Sequence, residues 1–213
     1  MEILRIDSYC DPRFPQDILW QHGAYLAGGQ PVAFRVISDH EAVISAPAAV
    51  LEALDEIVET FRFHAEHITV FYDEAGTCLL RLPDVERREI EIDSLQPSQF
   101  SVDREKCAAV GHFIRTAADL IIPVMPLPEG GVCVLDGHTR LYEAWGRGLR
   151  TAMVFHCDMP PEAQKTMLKF VREAQKRKIY HIRDMAVYSP EEQKIRWHDW
   201  CSAYFSALEE SSN

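Results

Sequence analysis

The chain has 213 residues, of which 47% are hydrophobic and 26% charged, enough apolar content for a sizeable core in one or two domains and too much for a disordered or fibrous chain. Its 33 acidic against 22 basic residues give a formal charge of -11, which repels a phosphate backbone, so sequence-specific nucleic acid is not an expected partner. No apolar run approaches the roughly 20 residues of a membrane span, and MEILRIDSYC lacks the basic start and apolar stretch of a signal peptide, which predicts a soluble, cytoplasmic protein with no membrane partner.

Residues 1–84 carry most of the excess negative charge and read as an α+β accessory domain. A strand is expected at Ile3–Ile6, and a short helical piece opens at Pro15. Gly28-Gly29 predicts a hairpin between Ala24–Ala27 and Val32–Ile37, continued by Ala42–Ser45. Pro47 opens a helix in which Val50, Leu51, Leu54, Ile57, Val58 and Phe61 recur at steps of three and four. A second hairpin, Ile68–Tyr72 with Cys78–Leu82, turns at Glu74-Ala75-Gly76. Pro83 and the charge run to Arg88 interrupt the pattern and predict a linker.

Residues 85–158 follow another plan. REIEID reads as a strand, Pro97 as a turn, and residues from Val102 to Thr116 as a helix. Two apolar strands, LIIPVMPL and GVCVLD, flank Pro128-Glu129-Gly130-Gly131; a helix from Thr139 to Leu149 and the strand TAMVFHC complete the segment. Residues 159–213 read as a helical extension. Its first helix runs from Pro160 to the basic cluster Lys176-Arg177-Lys178, and its second is announced by Ser189-Pro190-Glu191-Glu192, an N-cap, a first-turn proline and a capping-box glutamate. On that second helix Trp197, Trp200, Cys201, Tyr204, Phe205 and Leu208 share one face, a core stripe or the face of an oligomer. The six cysteines are scattered with no CxxC pair and read as reduced thiols.

The chemistry concentrates in VCVLDGHTRLYEAWGRG, where an apolar strand runs through Asp136-Gly137-His138-Thr139-Arg140 into a helix. Gly137 lets a ligand approach the main chain, and the helix start aims N–H groups and a positive dipole end at the same point. Thr139 can cap the helix and donate a hydroxyl, Arg140 can grip phosphate oxygens, and His138 can donate a hydrogen bond or transfer a proton. The alternative is a plain turn at Gly137, with Arg140 paired to a surface acid such as Glu143. His156 and Asp158, leaving the last strand, are further candidates for a ligand-facing edge, and Lys176, Arg177, Lys178 and Arg183 for phosphate contacts or an ordinary solvated helix end.

Residues 89–157 resemble the ParB/sulfiredoxin-like domain in the order of EIEID, LQPSQF, a helix, IIPVMPL, VCVLDGHTR, a helix and GLRTAMVFHC. ParB partition proteins carry a Gly-Glu-Arg-Arg loop, of which Gly137 and Arg140 match the ends, and a helix-turn-helix reader that residues after Asp158 leave no room for. Sulfiredoxins place a catalytic cysteine where His138 stands. The free serine kinases use Asp-Gly-His-(His or Thr)-Arg, matched at every position from Asp136 to Arg140. In that branch a glutamate near the proline turn acts as base; here Gln99 stands nearby and can orient a hydroxyl without taking its proton. Asp103 and Glu105 read instead as first-turn acids of a helix.

The resemblance implies an α+β, ParB/sulfiredoxin-like, nucleotide-binding protein. Gly137, His138, Thr139 and Arg140 would hold phosphate, Asp136 and His138 would act in catalysis, Asp136 would meet Mg²⁺, and Gln99 would orient a small hydroxyl substrate. ATP or ADP is the implied cofactor, with CTP a further candidate. A phosphotransferase, a non-catalytic nucleotide-binding regulator and a DNA-associated partition protein or nuclease are the three functions it leaves open.

Overall fold

The computed structural model describes residues 1–211, without the side chains of Ala118 and of residues 208–211; the predicted place of Leu208 on the aromatic face lies outside this description. The fold is mixed α and β, and the chain divides into two compact units, Met1–Arg87 and Arg88 onward. Among the described residues no helix is long and apolar enough to cross a membrane.

The first unit is a six-stranded sheet in the order β1 (Ile3–Arg5), β2 (Ala24–Ala27), β3 (Gln30–Val36), β4 (Glu41–Ser45), β5 (Val70–Tyr72), β6 (Cys78–Arg81). A five-residue helix α1 (Gln16–Trp20) precedes β2. Neighbours are antiparallel except β4 and β5, whose parallel pairing requires a crossover; α2 (Leu54–Arg62) lies in that connection. The face of α2 that carries Ile57, Val58 and Phe61 is buried with Tyr25, Phe34 and Phe71 of the sheet, and Phe61 stacks on Phe34 with ring centroids 4.0 Å apart.

The second unit is built on a five-stranded mixed sheet, ordered β7 (Arg88–Glu91), β12 (Thr151–His156), β10 (Ile121–Pro126), β11 (Val132–Val134), β8 (Leu95–Gln96). A two-stranded parallel ribbon pairs β9 (Ser101–Asp103) with β13 (Ala186–Tyr188). The helices are α3 (Arg104–Val110), α4 (His138–Gly146), α5 (Pro161–Lys176), α6 (Pro190–Gln193) and α7 (Asp199–Ser211), the last two joined by a π-helical turn at Lys194–His198. Alternation along β10 and β11 sends Val124 and Val134 into one core with Leu141 and Ala144 of α4, and Met125 and Cys133 to the opposite face, where Val171, Met167 and Leu168 of α5 cover them.

The C-terminal segment shares this core through Ala174, Ile179, Ile182 and Met185. The Trp stripe also faces inward. Trp197 and Trp200 meet Phe100 edge-on at 5.0 and 5.4 Å, and Phe170 adds a further ring at 5.6 Å from Trp200.

Two expectations change. The single helix from Val102 to Thr116 is replaced by β9, a seven-residue α3 and an irregular stretch to Thr116, because Asp103 stops the extended chain and caps α3, its carboxylate accepting from the N–H groups of Glu105 (2.7 Å) and Lys106 (3.1 Å). The last segment is not all helical, since β13 inserts before the capping box of Ser189 and Glu192.

Candidate functional site

β8 and β11 run parallel, and β10 runs against β11, so the ends of β8 and β11 and the start of β10 lie at one edge of the sheet. From that edge Asp136 and Gly137 lead into α4. Gly137 occupies the N-cap position with φ 89°, ψ 16°, left-handed backbone that a side chain disfavours, and a Cβ there would lie 2.7 Å from Cδ1 of Ile122 and 3.0 Å from Nη2 of Arg140. The backbone geometry therefore favours glycine, while the crowding atoms are the ends of side chains that can shift.

α4 begins one residue earlier than the sequence suggested, at His138, so Thr139 is not its cap but a half-buried residue of its first turn. Among the described residues the N-cap position, Gly137, shows no side-chain cap; the first N–H to reach back is that of Leu141, to the Gly137 carbonyl at 2.9 Å. The main-chain N–H groups of His138, Thr139 and Arg140 precede it and form the positive end of α4.

Arg140 is set over this turn. Its Nη1 donates to the Ile121 carbonyl at 3.2 Å, and its Nη2 lies 3.5 Å from Oδ2 of Asp136. The guanidinium side chain is 20% exposed and the Asp136 side chain 64%, so the pair opens to solvent on the acid's side. Glu143, the acid named as an alternative partner for Arg140, is instead paired with Arg147 at 2.7 Å.

His138 is directed differently from the role foreseen for it. The ring is 5% exposed, and Nε2 accepts from the Ser98 main-chain N–H at 3.1 Å, with Ser98 Oγ at 3.3 Å. The Ser98 hydroxyl proton is spent on the Val134 carbonyl at 2.6 Å. Burial, with Arg140 adding to it and Asp136 opposing, lowers the His138 pKa to about 4, so the imidazole is neutral and its Nε2 is an acceptor at neutral pH. It is a structural link between the turn after β8 and the head of α4, not a base exposed to a substrate.

Gln99 follows Ser98 and is thereby near the loop, yet its amide nitrogen donates to the Ser101 carbonyl. His156 and Asp158 do not join the site. β12 runs parallel to β10 with Met153 level with Ile121, so both residues follow in the direction leading away from the head of α4. Of the basic cluster, Arg177 pairs with Glu173 at 2.8 Å and lies over the Phe100 ring at 4.2 Å, Lys176 is 3.5 Å from Glu173, and Arg183 pairs with Asp93 at 2.9 Å.

Two participants were missed by the sequence: Ser98 and the carbonyl of Ile121. Neither carries a local signal, because each meets its partner across 40 and 19 residues of chain. Among the described residues no three His, Cys, Asp or Glu side chains gather as a metal cage. Asp136 alone still suits Mg²⁺ that arrives with phosphates, since that ion commonly takes one or two carboxylates and completes its shell with phosphate oxygens and water.

No family model matches the chain, and no curated protein matches it. Among solved structures, the crystal structure of protein Atu1540 from Agrobacterium tumefaciens is similar over 49% of this chain and 63% of its own, at 16% sequence identity and a TM-score of 0.35. The chain thus spans less than two-thirds of that protein, and a likeness of this size establishes neither a shared fold nor a shared activity.

Proposed function

We propose that the second unit binds the phosphate groups of a nucleotide at the head of α4, as a ParB/sulfiredoxin-like domain with a loop of the free serine kinase type. The observation that carries the reading is the strand–loop–helix turn at Gly137, whose left-handed backbone favours glycine and where Arg140 stands beside a helix start with no side-chain cap. Phosphate oxygens would accept from the N–H groups of His138 to Arg140 and from the Arg140 guanidinium, replacing its 3.5 Å contact with Asp136. Mg²⁺ supplies charge neutralisation to bound phosphates, and Asp136 is the carboxylate that would hold it. ATP and ADP are the first ligands to test and CTP the third.

Binding without catalysis is the better supported form of this reading. Asp103 is committed to capping α3, and Gln99 cannot accept a proton from a hydroxyl substrate at any pH. A phosphotransferase remains as second reading because Asp136 is an exposed carboxylate in the loop itself. The discriminating experiment follows phosphate transfer from ATP or ADP to serine and related small hydroxyl compounds by the wild type, Gln99→Glu and Asp136→Asn. The regulatory reading predicts nucleotide binding with no transfer in any of the three. Turnover by the wild type that Asp136→Asn abolishes establishes the kinase instead.

A further inference from the structure

The strongest unassigned feature of the second unit is the buried contact between Ser98 and His138. Two loops meet there that are separated by 40 residues: the turn that follows β8, with Pro97, Ser98 and Gln99, and the start of α4. Ser98 is 3% exposed and His138 5%. Two hydrogen bonds lock the turn in place: the Ser98 hydroxyl donates to the last residue of β11, and its main-chain N–H donates to Nε2 of the first residue of α4. A ring whose Nε2 accepts a main-chain proton carries its own proton on Nδ1, which fixes both tautomer and ring plane. Ser98 and His138 are not a nucleophile–base pair, because the hydroxyl proton points to Val134 and both groups are shut from solvent.

We infer that Ser98 and His138 are positioning residues, a clamp that holds the turn carrying Gln99 and the phosphate-binding loop as one body. The inference rests on the phosphate reading of the loop and adds a mechanism to it. The loop must present three N–H groups and a guanidinium with fixed spacing, and Gly137, which has the backbone freedom to depart from that geometry, directly precedes His138. Anchoring His138 through its ring removes that freedom on the helix side.

Amide substitutes separate the clamp from direct ligand contact. A glutamine at 138 places its carboxamide oxygen near the position of Nε2, whereas an asparagine reaches only the position of Nδ1. His138→Gln is therefore expected to keep the Ser98 amide protected from hydrogen exchange and to bind ADP within about twofold of wild type. His138→Asn should lose that protection and bind about tenfold more weakly, the scale of one hydrogen bond's worth of positioning. Ser98→Ala, which keeps the N–H but releases the anchor on Val134, should fall between them, and Ser98→Thr should restore binding. The opposite order, with Asn retaining affinity and Gln losing it, means that Nδ1 touches the ligand and overturns the clamp. Unchanged exchange at the Ser98 amide in His138→Asn overturns it as well, with no ligand present. Failure of the wild type to bind ADP, pyrophosphate or inorganic phosphate instead overturns the phosphate reading, and with it the role assigned to the clamp.

Discussion

Gly137 and His138 set opposite demands on adjacent positions: one needs an absent side chain, the other a buried ring. Adding a methyl group in Gly137→Ala forces a left-handed backbone on a residue that disfavours it, while the ends of the Ile122 and Arg140 side chains can give way, for a cost of about 1–2 kcal/mol in unfolding free energy, measurable by urea titration. A loss under half a kcal/mol would show that the turn relaxes without resistance. His138 contributes through protons. Its folded pKa of about 4 lies below the 6.5 of the free side chain, so between these values the unfolded chain binds a proton that the native protein does not. Stability linked to this residue is complete above about pH 6.5 and declines as pH falls toward 4, by up to about 3 kcal/mol. Unfolding free energies of the wild type and His138→Gln over that range should diverge accordingly, the variant showing the shallower slope. The strand–turn–helix placement of Asp136 to Arg140 was legible because a glycine among four polar residues stands between an apolar strand and a helix pattern. The inward direction of His138 was not, since it depends on Ser98, brought there by the pairing of β8 with β11.

At the scale of elements, what is encoded within a few residues was readable and what depends on distant partners was not. The Gly28-Gly29 hairpin, the amphipathic face of α2 and the capping box of Ser189 with Glu192 all rest on contacts no more than nine positions apart. β9 escaped because its partner, β13, lies 85 residues on, as Ser101 pairs with Ala186. Without that partner, SVDREKCAAV reads as one helical run, with Asp103 inside its first turn rather than at its cap. The observed cap predicts that Asp103→Ala destabilises the protein by about 1 kcal/mol, the usual worth of such a residue. Thermal unfolding and ADP titration of the variant should show a lowered midpoint with unchanged affinity. A variant with wild-type stability and lost phosphate transfer would identify Asp103 as a base and reinstate the kinase.

On the scale of the whole molecule, charge and ion pairing agree. The net charge of -11 opposes polyanions, and two of the basic residues that could offset it locally are already paired, Arg177 with Glu173 and over Phe100, and Arg183 with Asp93. Duplex DNA should therefore bind no tighter than about 1 μM at physiological salt, without sequence preference, and fluorescence anisotropy should show the residual binding vanish as salt rises. The proposed site calls for a small anion, of a size that a single helix start and one guanidinium would hold. Calorimetric titration of ADP, ATP and CTP, with and without Mg²⁺, into the wild type and Arg140→Ala tests this claim most directly. Saturable binding to the wild type, weakened by about 1.5–3 kcal/mol in a folded Arg140→Ala protein, is the predicted result. Equal affinity in the two proteins, or no binding to the wild type, would contradict it.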